Sequence, residues 1–499
     1  MGCVHGDACH RRPGLYYKNV IVVILLLILC GFLTGIPRRS VFAQRASEVR
    51  VRPDVIFVEA PVFSSVELPR RFPQGSRLAR LSTEAVSGGA IPLTPEFFSA
   101  ADPEVSFDGT RVLFSAQKSP EERWQVWEMD ADGSNKRQVT SCTEYCLRAA
   151  YLPGDEIVYT VVSRETGRPG SYLAVAKRDG SEAHRITFGP GDFQVEMVLR
   201  DGRILASASW PLLPTDGTAQ SRELYTLQPD GTGLDCFRCG GSKAATAGDA
   251  EEMDDGSILF IKSWGAGSVV GGDLAEVKQG ATRDASVGSV KTMCWSPRRL
   301  APGELVVARW VPGVRGATGK FDLYAFDLNR GSFGERIYGD AKLSSIQAVP
   351  VTPGLVPKIL WSTLDPQAKA GYFICLDSYL SATGRQDRLT APIARVRVLT
   401  LDTAGARERT LGDAPVEQDG SFYVAVPADQ PIRFELLGSD GRTVQAQKSW
   451  MWSRPGEEHG CAGCHEDRAV APENRWPMTL KRFDTPTQLG MKDNAPTAH

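Results

Sequence analysis

One local pattern constrains this chain more than any other. An Asp-Gly turn followed by a short apolar strand returns about every 45 residues between residues 101 and 380. The clearest copy runs Ser106-Phe107-Asp108-Gly109-Thr110, Arg111-Val112-Leu113-Phe114-Ser115, Val126-Trp127-Glu128-Met129 and Asp132-Gly133-Ser134-Asn135, and closes on Arg137-Gln138-Val139-Thr140. Further copies centre on Ile157-Val158-Tyr159 with Asp179-Gly180, on Asp201-Gly202 with Ile204-Leu205-Ala206, on Asp255-Gly256 with Ile258-Leu259-Phe260, and on Leu305-Val306-Val307 with Leu323-Tyr324-Ala325. Apolar or alternating runs punctuated by Asp-Gly signal hairpins, because the glycine takes the positive φ that a tight turn needs. A unit of four short strands cannot bury its own faces, whereas units stacked radially can, so the expected fold class is all-β and the expected architecture a β-propeller. Five copies are plain. Strands near Val55-Ile56-Phe57-Val58 and Ser345-Ile346-Gln347-Ala348-Val349 jointly make a sixth and close the ring, giving six blades, with seven as the alternative. The repeated Asp residues read as turn formers rather than calcium ligands.

These blades resemble the PD40/TolB-like branch of the WD40-like propellers, in which an Asp-Gly turn, an apolar strand and a late Asp-Gly-Ser/Thr recur. Near residue 390 the pattern changes. Ala394 to Leu401, Gly420 to Pro427, Pro431 to Leu437 and Arg442 to Ala446 form a series of alternating strands with Asp440-Gly441 as a connecting turn. They predict a small antiparallel β domain, a sandwich by its strand lengths. The expected organisation is a leader over 1–43, an N-terminal segment over 44–100 that supplies a closing strand, a propeller over 101–385, the β domain over 390–470 and a tail over 471–499.

The chemistry sits in Cys461-Ala462-Gly463-Cys464-His465. Two thiols at C-x-x-C spacing add to the two vinyl groups of haem, and the adjacent imidazole reaches the iron. This predicts one covalent haem c, with Cys461 and Cys464 as thioether residues and His465 as axial ligand; a disulfide or part of a zinc site that happens to precede a histidine is the plain alternative. The motif follows Ser449-Trp450-Met451-Trp452-Ser453-Arg454-Pro455-Gly456-Glu457, and Glu466-Asp467-Arg468 and Ala471-Pro472-Glu473-Asn474-Arg475 come after it. With the preceding Gln418-Asp419-Gly420-Ser421-Phe422-Tyr423 strand, this region resembles the middle domain of the hydrazine synthase alpha subunit. The resemblance covers residues 54 to 478 in domain order and is specific from Gln418 through the haem motif. It implies a propeller packed on a β domain that holds haem near the junction, in a protein that works within a complex. The chain ends 34 residues after His465 and has no second C-x-x-C-H, so hydrazine synthesis is not expected to carry over.

Whether such a haem conducts electrons or binds small molecules turns on the second axial position. His184, His459 and His499 are the other histidines after the leader, and His459 stands only two residues before Cys461, a tether too short for the distal face. Met478 lies after the motif, as distal methionines do in small cytochromes, and is the candidate ligand against a plain packing role. Without it the iron is five-coordinate or water-bound. Trp450, Trp452 and Trp476 flank the motif, either as haem-crevice walls or as ordinary core.

Arg11, Arg12 and Lys18 precede the apolar run Val20 to Leu33, and Val41-Phe42-Ala43 ends in a small residue, so residues 1–43 read as a cleaved secretory signal. Residues 20–36 are nearly long enough for an uncleaved membrane anchor instead. Both readings place the remainder outside the cytoplasm, in the periplasm or its equivalent, where disulfides persist. Cys142 with Cys146 and Cys236 with Cys239 are therefore expected as local disulfides, and Cys294 and Cys375 as buried thiols. A net charge of -2 gives no electrostatic case for nucleic acid. No G-x-S-x-G, H-E-x-x-H or phosphate-cradling loop is present. The leading expectation is an exported c-type haem protein that transfers electrons or serves a haem enzyme, with the propeller as docking platform for a redox partner or an envelope complex. Enzymatic activity stays open; its form would be a haem-dependent oxidoreductase component. The competing expectation is a TolB-like protein-binding propeller whose haem is structural or sensory.

Overall fold

The computed structural model describes residues 52–61, 68–82, 89–163, 170–210, 221–238, 245–264, 271–281, 283–288, 293–313, 319–380, 389–402, 407–447, 449–463 and 474–491. The leader, Cys239, Cys464, His465 and His499 lie outside them. The chain is all-β, with strands over 52% of its residues.

Six four-stranded sheets stand radially as blades. Their innermost strands are Ser99–Val105, Tyr145–Leu152, Asp192–Val198, Ala245–Glu252, Cys294–Ala301 and Ser344–Pro350. Five blades are continuous in sequence. The sixth is shared: Ser344–Pro350 pairs antiparallel with Val55–Ala60, from Ala60 opposite Ser344 to Val55 opposite Pro350, and Arg77–Leu81 and Ile91–Pro92 complete the sheet. The early segment thus gives the ring three strands rather than one. Val55, Ile56, Phe57 and Val58 are fully buried, which explains their unbroken apolar run. Four of the six outermost strands, Arg137–Gln138, His184–Arg185, Ala285–Ser286 and Ile91–Pro92, have two residues each, which limits the edge open to a foreign strand, whereas Ser332–Tyr338 runs to seven.

The Asp residues of the repeat act as turn formers. Asp108, Asp132, Asp179, Asp230 and Asp255 each accept a hydrogen bond from the backbone N–H two residues on, at 2.8–3.0 Å. At Gly180, Gly202 and Gly231 the glycine is held by its neighbourhood as well as by its φ. At Gly202 (φ 93°) a Cβ would run into the Lys358 carbonyl oxygen, because the chain leaving the propeller crosses that turn. Cys142 and Cys146 form a disulfide at the start of the second blade. Cys236 is disulfide-bonded on the strand Asp235–Arg238, and its expected partner Cys239 lies outside the described residues.

The second domain consists of two four-stranded sheets enclosing a core of Phe373, Val396, Val398, Val424, Ile432 and Leu436. One sheet orders the strands Glu458–Cys461, Ala370–Cys375, Phe422–Pro427 and Thr487–Gln488; the other holds Glu408–Pro415, Arg395–Leu401, Ile432–Leu437 and Thr443–Ala446. The sequence places the propeller's end near 385, but Ala370–Cys375 already belongs to this domain. It pairs antiparallel with Phe422–Pro427, from Cys375 opposite Phe422 to Ala370 opposite Pro427, a distant partner that no local pattern announces. The same sheet also contains two parallel pairings, so it is mixed.

Trp452 fastens the second domain to the propeller. It is fully buried among Phe193, Tyr225 and other side chains of the second and third blades, and its Nε1 donates to the Gly231 carbonyl at 3.1 Å.

Candidate functional site

The haem motif begins where a strand ends. Glu458–Cys461 is the edge strand of its sheet and runs parallel to Ala370–Cys375, with Phe373 opposite His459 and Cys375 opposite Cys461. Alternation puts His459 and Cys461 on one face. That face is the inner one: the His459 ring stacks on Phe373 at 4.9 Å and 4°, and Cys461 packs, half-buried, against the sandwich core. His459 is therefore committed to the strand, and its Nε2 is buried 2.9 Å from Glu457 Oε1 in an alignment that makes no hydrogen bond.

The approach to the motif is braced from the propeller. Glu457 Oε1 accepts from the Gly233 N–H at 2.7 Å, and Oε2 accepts from the Arg454 N–H at 2.7 Å. Eight residues lie between Trp452, locked in the propeller, and Cys461. Past Cys461, the Leu376 and Asp377 N–H groups donate to the Cys461 and Ala462 carbonyls at 2.9 and 3.2 Å. Gly463 lies flush on Leu380: a Cβ there would come 2.6 Å from Leu380 Cβ and 2.7 Å from its carbonyl oxygen, so this position of the motif takes no side chain.

From residue 474 the chain is again fastened to the same end of the sheet. Arg475 Nη2 donates to the Asp419 carbonyl at 2.9 Å and lies 3.8 Å from the Asp377 carboxylate. The Met478 N–H donates to Asp419 Oδ2 at 2.8 Å, and the Thr479 N–H to Ser421 Oγ at 3.0 Å. Asp419 precedes the strand Phe422–Pro427, whose Phe422 stands opposite Cys375, which in turn stands opposite Cys461. Two strand spacings, roughly 10 Å, thus separate the line of Met478's anchor from that of Cys461. Sequence reasoning places Asp419 in the strand that runs to Tyr423; the structure makes it the holder of the tail.

Burial opposes the charge on Asp419, but the Ser421 hydroxyl and the Met478 and Ser421 N–H groups outweigh it and keep the carboxyl below its usual range. A depressed carboxyl stabilises the fold above its unfolded pKa, about 4, and that contribution is lost as pH falls through the lower folded value. Asp419→Asn is expected to cost about 1–3 kcal/mol at neutral pH and to shrink the stability difference between pH 7 and pH 3. Urea titrations of both proteins at the two pH values measure this; an equal pH dependence refutes the assignment.

Of the three tryptophans near the motif, Trp450 and Trp452 are core, while Trp476 is 68% exposed. The Arg433 guanidinium lies 5.9 Å from the Trp450 ring. The donor set suits a covalent haem: a half-buried thiol at a sheet edge, a glycine cradle beside it and a methionine on the returning chain. Among the described residues no group of three or more His, Cys, Asp or Glu side chains could hold a metal ion.

With this geometry in view, the class is a propeller fused to a β sandwich whose edge strand Glu458–Cys461 carries the first cysteine of the C-x-x-C-H sequence. Residues 379–466 match the family model described as the hydrazine synthase alpha subunit middle domain. Hydrazine synthase subunit alpha of Kuenenia stuttgartiensis is 22% identical over 560 aligned positions, covering 84% of this chain and 67% of that protein. The solved hydrazine synthase of the same organism superposes with a TM-score of 0.74 at 18% identity, over 86% of this chain and 72% of that one. TolB from Acinetobacter baumannii is similar over 59% of this chain and 66% of its own, at 12% identity and a TM-score of 0.41. The likeness to the solved hydrazine synthase establishes the shared fold.

Proposed function

We propose that the chain is an exported c-type haem protein that transfers electrons, carrying one haem on Cys461 and Cys464 with His465 as proximal ligand and Met478 as distal ligand. The observation that carries the proposal is the position of the motif: a C-x-x-C-H that leaves an edge strand with its first thiol turned into the sandwich core. Bound there, haem supplies a one-electron couple. The chain's own residues set its surroundings. Cys461 would hold the group beside the apolar core of the sandwich, which excludes water there. Asp419 and Ser421 hold the backbone at Met478 and Thr479, which limits how far the thioether can wander. Glu457 and Trp452 tie the site to the propeller, so a partner docked on the blades is mechanically close to the redox centre. The names of the relatives, subunits of hydrazine synthase, support a role within a larger assembly; the leader over residues 1–43 supports export.

Absorption spectra of protein matured with haem c, ferric and ferrous, with and without carbon monoxide, test this. The ferrous spectrum of the wild type is expected to be unchanged by carbon monoxide, and Met478→Ala to gain carbon monoxide binding. Wild-type protein that already binds carbon monoxide removes Met478 from the iron and makes small-molecule chemistry the better reading.

A further inference from the structure

The chain that leaves the propeller crosses one face of it as an extended strap. The strap begins at Val351, whose N–H donates to the Asp54 carbonyl at 2.8 Å. Further along, the Gly354 N–H donates to the Phe107 carbonyl at 2.9 Å and the Lys358 N–H to the Arg200 carbonyl at 3.1 Å. The Ser362 hydroxyl then donates to Asp230 Oδ2 at 2.7 Å. These bonds pin the strap to turns of the first and third blades. In a blade of four antiparallel strands the first and third turns share one face, so this is the face of the Asp-Gly turns. Pro357 is buried on it, and Leu360 lies against the Gly202 turn. The other apolar side chains stand in solvent: Leu355 is 75% exposed, Val356 66%, Ile359 53% and Trp361 81%. Eight large apolar side chains are exposed among the described residues, and four of them fall within these seven positions.

A run of exposed apolar side chains on a well-anchored segment marks a surface that something else covers. Two features favour a lipid surface. The first is where the rest of the chain joins. Residues 1–51 enter the propeller through Arg52–Asp54, and Asp54 is bonded to Val351, so they join on the strap's own face. Fifteen residues, 37–51, link the apolar residues 20–36 to that point, a reach of at most about 50 Å. The second is composition: aliphatic side chains beside Trp361 and Lys358 are the set that settles at a membrane–water interface. The backbone sets the depth. The N–H groups of Leu355, Val356, Ile359 and Trp361 have no acceptor among the described residues, which suits a hydrated headgroup layer and excludes hydrocarbon. Asp108, Asp132 and Asp179 on the same face are exposed and kept ionised by the turn hydroxyls of Ser106, Ser134 and Ser181, so the lipid that suits this face is neutral.

We propose that the strap face rests on the neutral headgroup layer of a bilayer, with Leu355, Val356, Ile359 and Trp361 against lipid and Lys358 among the headgroup phosphates. The contact rests on the export reading of residues 1–43 and is independent of the haem. Retained, residues 20–36 supply the local concentration that a weak contact needs. Cleaved, they leave the strap to bind weakly and reversibly by itself.

The test mixes the purified full chain, its N-terminus read by intact mass, with phosphatidylcholine vesicles. Part of the lipid carries bromine near the headgroup end of its acyl chains, where it quenches tryptophan on contact. The wild type is expected to lose fluorescence saturably, and most of that loss to disappear in Trp361→Phe. Leu355→Ser with Ile359→Ser changes two side chains that are more than half exposed, so it is expected to melt as the wild type does. Its half-saturating lipid is expected to rise about tenfold where the leader is cleaved, and its quenched fraction to fall where the leader is retained. If it melts lower, Trp361→Phe alone decides. Equal quenching in the wild type and Trp361→Phe overturns the proposal, whatever else holds the chain to the vesicle. A wild-type dimer that the double variant dissolves, seen by sedimentation velocity, overturns it in favour of a second copy. Fractionation of the producing cells reads export separately: a chain found only in the cytoplasm ends the export reading, while the quenching still decides the strap.

Discussion

Trp452→Ala is expected to lower the unfolding free energy by about 3–5 kcal/mol and to loosen the two domains from one another. The side chain is fully buried, packs edge-on to Phe193 at 5.6 Å and Phe188 at 6.3 Å, and satisfies the Gly231 carbonyl. Alanine leaves both a large cavity and an orphaned acceptor. Trp452→Phe fills most of the space and loses only the hydrogen bond, so about 1 kcal/mol separates it from wild type. Denaturant unfolding gives the energies, and limited proteolysis in the connecting stretch 351–369 reports the loosening. If the alanine variant is cut no faster than wild type, the domains are held together elsewhere.

The second large effect concerns the cofactor. The double variant Cys461→Ser, Cys464→Ser is expected to carry no covalent haem after expression with a haem c maturation system, whereas the wild type keeps its haem through denaturing electrophoresis and shows it in the intact mass. Cys461→Ser alone is expected to retain a single thioether and far less haem, since its thiol is the one held against the core. A wild-type chain that emerges without haem, or a double variant that still carries it, ends the haem assignment.

Much of the fold was legible because the turns are chemically explicit. Asp-Gly with an accepting Asp side chain recurs in most blades and again at Asp419 and Asp440, and the apolar run from Val55 finds its partner at Ser345 because both strands are buried on both faces. The polar residues on the propeller axis were not legible. Asp102, Arg148 and Asp249 lie in strands where a charged residue reads as solvent-facing, and only the register slips of the innermost strands reveal that they line one cavity. Ala370–Cys375 escaped for a related reason: its partners begin at Phe422, 47 residues beyond Cys375, and no turn marks its start. Trp452 was singled out beside the haem motif, but the core it enters belongs to the propeller, a long-range contact that no periodicity encodes. For the candidate site, the motif and Met478 were visible as residue types; the hold of Asp419 on the returning chain, and the glycine cradle at Leu380, required the third dimension.

The shared sixth blade has a consequence for how the ring is made. Val55 must wait for Pro350, a separation of 295 residues, before its sheet is complete. Until then the first three described strands form a hairpin sheet whose edge strand Val55–Ala60, apolar except for Glu59, is bare, the kind of surface on which strands of other molecules add. Closure is also the most non-local contact of the propeller, so it is the step at which loop entropy weighs most. A chain that leaves its site of synthesis amino end first would therefore carry this sticky edge through the whole of its passage, and its safe arrival depends on whatever shields residues 55–60 until the last inner strand emerges.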